Sequence, residues 1–204
     1  MFGRDDLGMN SQNFVERLNS LEEQITNSDF LDSKGIGNEV PYYIFTYPAQ
    51  EEERLSRHLA LINLSLKSIT NLKFIQINLF NEAVNLLKDN HIYQDVIEMQ
   101  QTGVVNSDVL YALQGELNET NLASYINQRY QLDSFNLILL TGVGGCHPMI
   151  SVSKMLSNLQ SLTMKCPLVV FYPGEYTKNT AQENGAFSLF NLINRESYYR
   201  AFKL

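Results

Sequence analysis

A glycine-rich loop holds the residues of this sequence whose types and spacing are most suited to chemistry. The segment 142–148 reads GVGGCHP and directly follows an apolar run. At such a position a strand-to-helix turn can present main-chain amide groups to a phosphate. The same segment contains Cys146 and His147, a thiol and an imidazole of the kind that a nucleophile and its general base would need. The loop therefore raises two hypotheses, anion binding and covalent catalysis.

The anion hypothesis depends on Gly142, Gly144 and Gly145, since glycine lets the backbone bend tightly. The sequence has no G-x-x-x-x-G-K-[ST] segment, so a Walker A phosphate loop is absent. The pattern that starts at Gly142 also lacks the later glycine of a dinucleotide-binding fingerprint. A tight strand-to-helix turn without a ligand explains the same glycines, and both interpretations stay open.

The catalytic hypothesis is the weaker of the two. Neighbours in sequence seldom point at each other, and no third group that would orient the imidazole can be named. Cys146 fits better as a small buried residue, and His147 as a hydrogen-bonding residue held extended before Pro148. The sequence has no G-x-S-x-G elbow and no histidine pair with metal-ligand spacing. We therefore predict no catalytic residue, no metal site and no cofactor.

Apolar segments that alternate with amphipathic ones predict the elements that position this loop. Residues 11–26 and 51–68 carry apolar side chains at helical spacing, and a helix is expected from 118 to 129. Strands are expected at 42–47, 73–79, 136–141 and 167–172, the last ending at Pro173-Gly174. Asn81 and Ser107 are expected to cap helices, and the glycine loop is expected to lead into a helix that ends near 159.

This order predicts an α/β fold, with a parallel or mostly parallel sheet, helices on both faces and a helical segment at the N-terminus. We expect one α/β domain over residues 1–204, in which 1–40 form the N-terminal helix and loop and 41–204 the sheet-containing core.

Composition narrows the class of partner. The 204 residues include 15 Lys and Arg against 22 Asp and Glu, a net charge of −7. Such a chain has no overall cationic field to displace counterions from nucleic acid, so a strong direct nucleic-acid partner is not expected. Two cysteines exclude a disulfide-rich scaffold, and no apolar run has the length of a membrane span. Because the N-terminal residues also lack the pattern of a signal peptide, we expect a cytoplasmic protein that does not contact the membrane.

Two further groups of residues are candidates for binding. Ligands of parallel sheets bind beyond the carboxyl ends of the strands, where Tyr172 ends the fourth strand and Gly174 and Glu175 follow it. The segment YYRAFKL, which begins at Tyr198, combines aromatic and cationic residues. It predicts either an edge strand docked on the body or a partner surface that includes Tyr198, Tyr199 and Arg200. A partly buried ion pair between Arg200 and Glu175 is a further hypothesis.

Three segments carry a family resemblance: GVGGCHP at 142–148, FYPGEY at 171–176 and YYRAFKL at 198–204. In order and spacing they resemble the BrxB family, small components of the bacterial phage-defence systems called BREX. The resemblance runs from the first predicted strand to the last residue, and the closing YYRAF is its most specific element.

The resemblance implies a non-enzymatic subunit of a defence complex. Its expected partner is PglZ, the BREX component with an alkaline-phosphatase-like domain, with other BREX proteins as further candidates. The family has also been labelled a possible RNA binder, which the net charge of −7 disfavours. A small-ligand, nucleotide-like binder, or a nucleic-acid binder, that uses the loop from Gly142 to His147 remains the alternative.

Overall fold

Within the described residues, five strands form a parallel sheet, and two more extend its middle strand as an antiparallel hairpin. The structure is a computed structural model that describes residues 4–37, 39–163, 166–179, 184–198 and 201–204. For residues 4–12, 178–179, 184–185 and 194–198 it describes the backbone alone.

Helices and strands alternate along most of the chain. The helices are α1 (Arg4–Thr26), α2 (Ser28–Leu31), α3 (Glu52–Leu66), α4 (Leu79–Asp89), α5 (Ile92–Gln101), α6 (Asn106–Leu113), α7 (Glu119–Tyr130) and α8 (Val152–Thr163). The strands are β1 (Tyr42–Tyr47), β2 (Phe74–Asn78), β3 (Leu137–Thr141), β4 (Leu168–Asn179), β5 (Asn184–Leu189), β6 (Ile193–Tyr198) and β7 (Phe202–Lys203).

The parallel strands lie in the order β2-β3-β4-β1-β7. All six side chains of β1 and all five of β3 are buried, because each of these strands has a neighbour on both sides and helices on both faces. Alternate side chains of β1 enter opposite cores: Tyr43 and Phe45 pack against α1 and α3, whereas Tyr42 and Ile44 face the core shared with α4 to α8. This arrangement confirms the predicted α/β class.

Several predicted boundaries are wrong. Pro173-Gly174 does not end β4, which continues to Asn179; only its parallel pairing with β1 stops there, and its antiparallel pairing with β5 begins. Asn81 does not cap α4, because the amide oxygen of Asn78 accepts the N–H of Asn81 at 3.0 Å. Ser107 lies inside α6, and α8 starts at Val152, several residues beyond the glycine loop.

The predicted edge strand near the end of the chain is present as β7. The N–H of Leu204 donates to the carbonyl oxygen of Ile44 at 3.1 Å, and the Phe202 ring lies 5.5 Å from that of Tyr43. The Arg17 guanidinium in α1 donates to the main-chain oxygens of Thr46 at 3.0 Å and Leu204 at 2.8 Å. These contacts hold β7 at the edge of the sheet beside β1, and α1 binds the residue that follows it.

None of the helices in the described part of the chain combines the length and apolar character that crossing a membrane requires.

Candidate functional site at the carboxyl end of the sheet

Gly142 ends β3 with a backbone conformation and a neighbour that both favour glycine. Its φ is +70°, in the left-handed region, and a Cβ placed on it would lie 2.3 Å from Oδ1 of Asn78. That oxygen caps α4 by accepting the N–H of Asn81. The missing side chain at Gly142 therefore makes room for a helix cap of the protein itself.

Gly144 and Gly145 also accommodate side chains of this chain. A Cβ on Gly144 would lie 2.8 Å from Pro173 and 3.1 Å from the ring of Phe190, and one on Gly145 would lie 3.2 Å from the ring of Phe80. The two aromatic rings thus pack directly on the glycine backbone. The space that a phosphate would need beside this backbone is filled by apolar side chains.

A main-chain N–H group at the start of α8 also has its hydrogen-bond partner within the chain. The N–H of Ser151, just before the first residue of α8, donates to the carboxylate of Glu119 at 2.8 Å. A carboxylate at this position interacts favourably with the positive end of the helix dipole. Glu119 thus occupies the place in which the anion hypothesis would put a phosphate.

His147 and Tyr172 come together at a small cavity beneath the β5–β6 hairpin. The cavity has a volume of about 20 Å³ and is also lined by Val143, Ile150 and Phe187, among others. A volume of roughly 10–15 Å³ on this measure is needed for a single water molecule. The cavity is therefore of the size for a water molecule and far below that of a nucleotide.

The thiol of Cys146 is buried and protonated. Burial raises its pKa to about 12, and Sγ lies 3.7 Å from the carbonyl oxygen of Gly142. A nucleophilic cysteine needs a lowered pKa and access to substrate, and Cys146 has neither. Cys166 is buried in the same way, with its pKa also raised to about 12. Among the residues that the structure describes, no group of His, Cys, Asp and Glu could hold a metal ion.

Tyr47 ends β1 at the same edge of the sheet. Burial, and a hydrogen bond that its hydroxyl donates to the Glu52 carboxylate, raise the pKa of Tyr47 above its ordinary value. The phenol therefore stays protonated and holds the start of α3 against the strand end.

Three apolar side chains of this region are exposed. Phe80, Phe190 and Leu192 are 46%, 38% and 84% exposed, and the first two flank the adjacent glycines of the loop. Phe190 and Asn191 have φ values of +55° and +57°, which non-glycine residues rarely adopt. The hairpin turn thus holds the Phe190 ring against Gly144, partly exposed, in a backbone conformation that is unfavourable for phenylalanine. We call Phe80, Phe190 and Leu192 the carboxyl-end patch.

Comparison with known proteins identifies the family. The family model described as "BREX protein BrxB" matches residues 75–204, from β2 to β7. The chain belongs to the BrxB family. It is therefore a component of a BREX system, and the carboxyl-end patch lies within the matched residues.

Two BrxB proteins are similar over nearly the whole chain. "BREX protein BrxB" of Escherichia coli O9:H4 (strain HS) is 30% identical over 190 residues, 92% of this chain and 90% of that protein. "BREX protein BrxB" of Bacillus cereus (strain H3081.97) is 31% identical over 192 residues, 93% and 96% of the two chains. No solved structure matches the chain.

The structure brings some of the predicted binding residues together. Gly144, His147, Tyr172 and Gly174 lie beside the β5–β6 hairpin, and a Cβ on Gly174 would lie 2.1 Å from the Ser188 carbonyl oxygen. Gly142 and Gly145 lie instead beside Asn78 and Phe80, at the start of α4. Glu175 is exposed, and Arg200 lies outside the described residues, so the ion pair between them stays a prediction.

The predicted binding residues near the end of the chain lie largely beyond the structural description. Tyr198 ends β6 by its backbone, and its side chain is not described; Tyr199 and Arg200 lie outside the described residues altogether. The sequence analysis did not predict that the residues of the carboxyl-end patch, Phe80, Phe190 and Leu192, form a binding surface. Single phenylalanines and leucines near helix and turn boundaries resemble ordinary core residues, and only the fold shows that these three are exposed.

Proposed function

We propose that this BrxB chain is a non-enzymatic subunit of a BREX anti-phage defence complex and binds another BREX protein, PglZ, through the carboxyl-end patch. The observation that supports this most directly is the filling of the sheet's carboxyl end. Helix caps, aromatic rings and Glu119 occupy the places where ligands of parallel sheets usually bind, and an apolar surface faces outward.

The patch has the properties of a protein anchor rather than of a small-molecule pocket. Small-molecule sites are concave and enclose most of the ligand, whereas the enclosed space here holds about 20 Å³. Binding energy at protein interfaces concentrates in a few aromatic or apolar side chains. Burying a fully exposed leucine such as Leu192 contributes about 1.5–3 kcal/mol.

Phe190 is held in place before any partner arrives. Its ring packs over Gly144, and its N–H donates to the carbonyl oxygen of Pro173 at 2.8 Å. A side chain that is already fixed loses little conformational entropy on binding, which increases the affinity that its contacts provide. PglZ is the first partner to test because the family resemblance of the sequence points to it.

A pair of matched variants tests the patch. Leu192 and Tyr111 are 84% and 79% exposed, so neither Leu192→Asp nor Tyr111→Asp should affect folding. Tyr111 lies in α6, a helix that contributes no residue to the patch. Each variant would be co-expressed with tagged PglZ of the same operon and the retained amount measured. We expect Leu192→Asp to lose at least about tenfold in affinity, since it places a charge in an apolar contact, and Tyr111→Asp to bind normally.

Equal retention of both variants by PglZ would contradict the assignment of the patch. Loss of binding in both, with unchanged thermal unfolding, would also contradict it, because the interface would then extend to α6 instead of being confined to the patch. Phe80→Asp serves as a second variant, because Phe80 contributes to the patch from α4 rather than from the hairpin.

A further inference from the structure

A groove of about 560 Å³ follows the free edge of β2, at the opposite edge of the sheet from β7. Its lining includes Phe74, Ile75 and Gln76, three successive residues of the strand. Phe74 packs toward the α1 and α3 core and Ile75 toward the opposite core. Because side chains of both faces line it, the groove reaches the strand edge, and Ser134 and Phe135, just before β3, place it at the amino-terminal half of β2.

The backbone of this edge is unpaired within the described residues. β2 pairs with β3 from Phe74–Leu137 to Asn78–Thr141, and none of the described strands pairs with its other side. Such an edge presents a row of main-chain donors and acceptors that an extended segment can pair with. The start of β2 is fixed, since Lys73 donates its N–H to the Asn136 side chain at 2.9 Å and accepts from the Asn136 N–H at 2.7 Å.

The groove is apolar and cationic. Leu72, Phe74 and Phe135 contribute apolar surface, and Lys67 and Lys73 contribute exposed ammonium groups. No carboxylate is among the described residues that line it, although the chain as a whole carries a net charge of −7. This local charge complements an acidic segment.

An amide oxygen in the groove also lacks a partner. The Asn63 side chain donates its amide N–H to Gln76, while its buried Oδ1 accepts no hydrogen bond from the described residues. Leu64, the residue next to Asn63 in α3, is 66% exposed, so apolar surface continues beyond the groove. Asn63 therefore brings an unsatisfied polar atom to the wall of the groove, beside apolar surface.

We propose that this groove binds an extended, acidic and apolar segment of a partner protein, which adds as a strand beside β2. A second copy of this chain is a poorer occupant, because it would bring its own Lys67 and Lys73 to the same edge. Nucleic acid is a poorer occupant because the chain is acidic overall and the described residues of the groove lining supply only two cationic side chains. This inference is independent of the carboxyl-end patch and gives the chain a second docking surface.

The test is a peptide array. Overlapping fifteen-residue peptides that cover the other BREX proteins of the same operon would be probed with the whole chain. We expect the retained peptides to be acidic with alternating apolar residues. Their affinity for the variant Lys67→Glu/Lys73→Glu should be at least about tenfold lower than for the unaltered chain. The control Lys88→Glu/Lys154→Glu reverses the charge of two exposed lysines on other helices and should bind the peptides normally.

Backbone pairing is tested with the retained peptides themselves. In an extended peptide, the N–H groups of alternate residues point to opposite edges. Two peptides would be made, one N-methylated at the odd-numbered residues and one at the even-numbered residues. One of these two methylation phases should abolish binding and the other should preserve it. The variant Leu192→Asp should keep peptide binding, which separates this inference from the proposed PglZ contact.

Four outcomes would overturn the inference. These are retention of no peptide, retention of neutral or basic peptides, equal binding by both charge-reversal variants, and equal tolerance of both methylation phases. Displacement of bound peptide by a single-stranded oligonucleotide, or dimerisation through β2 in light scattering, would assign the groove to nucleic acid or to a second copy instead.

Discussion

Replacing Gly142 with alanine tests whether the glycine loop serves the fold or binds a ligand. The substitution imposes two costs. A φ of +70° is unfavourable for alanine by about 1–2 kcal/mol. The new Cβ would also lie 2.3 Å from Oδ1 of Asn78 and displace the α4 cap, a loss of about 1 kcal/mol. We expect Gly142→Ala to lower the free energy of unfolding by about 2–3 kcal/mol.

Gly103→Ala is the matched control. Its φ is +79°, yet a Cβ placed on Gly103 would meet no atom within 4 Å, so only the backbone cost applies. Asn78→Ala alone should lose only the cap, about 1 kcal/mol. The double variant Gly142→Ala/Asn78→Ala cannot lose the cap twice. Its destabilisation should therefore be about 1 kcal/mol smaller than the sum of the effects of Gly142→Ala and Asn78→Ala.

Urea unfolding of these four variants and the unaltered chain provides the measurement. Two results would refute the structural role of Gly142: equal destabilisation by Gly142→Ala and Gly103→Ala, or strict additivity of Gly142→Ala with Asn78→Ala. Either result would mean that the cap contact does not constrain residue 142 in solution.

Three further predictions concern the end of the chain, the thiols and the loop. Arg17→Met removes two charged hydrogen bonds and should destabilise the protein by about 1.5–3 kcal/mol. The N–H of Leu204 should then exchange its hydrogen faster than in the unaltered chain. Equal protection of this N–H in both proteins would contradict the contact. Burial raises the pKa of both Cys146 and Cys166 from 9 to about 12, so their contribution to stability is complete below pH 9 and is lost between pH 9 and 12. Urea unfolding should show that the free energy of unfolding falls less between pH 9 and 11 in Cys146→Ala/Cys166→Ala than in the unaltered chain. An equal fall in both proteins would contradict this prediction. Nucleotides, with or without magnesium, should leave the thermal unfolding temperature unchanged; a shift equivalent to about 2.7 kcal/mol, the value for a ligand at 100 times its Kd, would favour ligand binding at the loop instead.

The central strands could be predicted because burial on both faces leaves a continuous apolar run. This holds for β1 and β3, whose side chains are all buried. The β5–β6 hairpin could not be predicted, since its strands lack a continuous apolar run and are fixed by pairing with the extended end of β4. The composition of Pro173-Gly174 predicts a turn. In the structure, glycine is needed at 174 because the β5 backbone at Ser188 leaves no room for a side chain there.

The glycine loop shows a similar limit at the candidate site. Its position beyond a buried strand was predictable, but the reason for its glycines was not. The side chains that fill the space, Asn78, Phe80 and Phe190, come from two distant parts of the sequence. Three glycines in a strand-to-helix turn are compatible with a phosphate or with close packing, and only the tertiary neighbours distinguish them.

The most direct test of the central claim is the mass of the species formed when the purified chain is mixed with PglZ of the same operon. Size-exclusion chromatography with light scattering would measure it. We expect a single stoichiometric complex that Leu192→Asp disrupts and Tyr111→Asp does not. Two separate peaks at the masses of the individual proteins would contradict the proposed function.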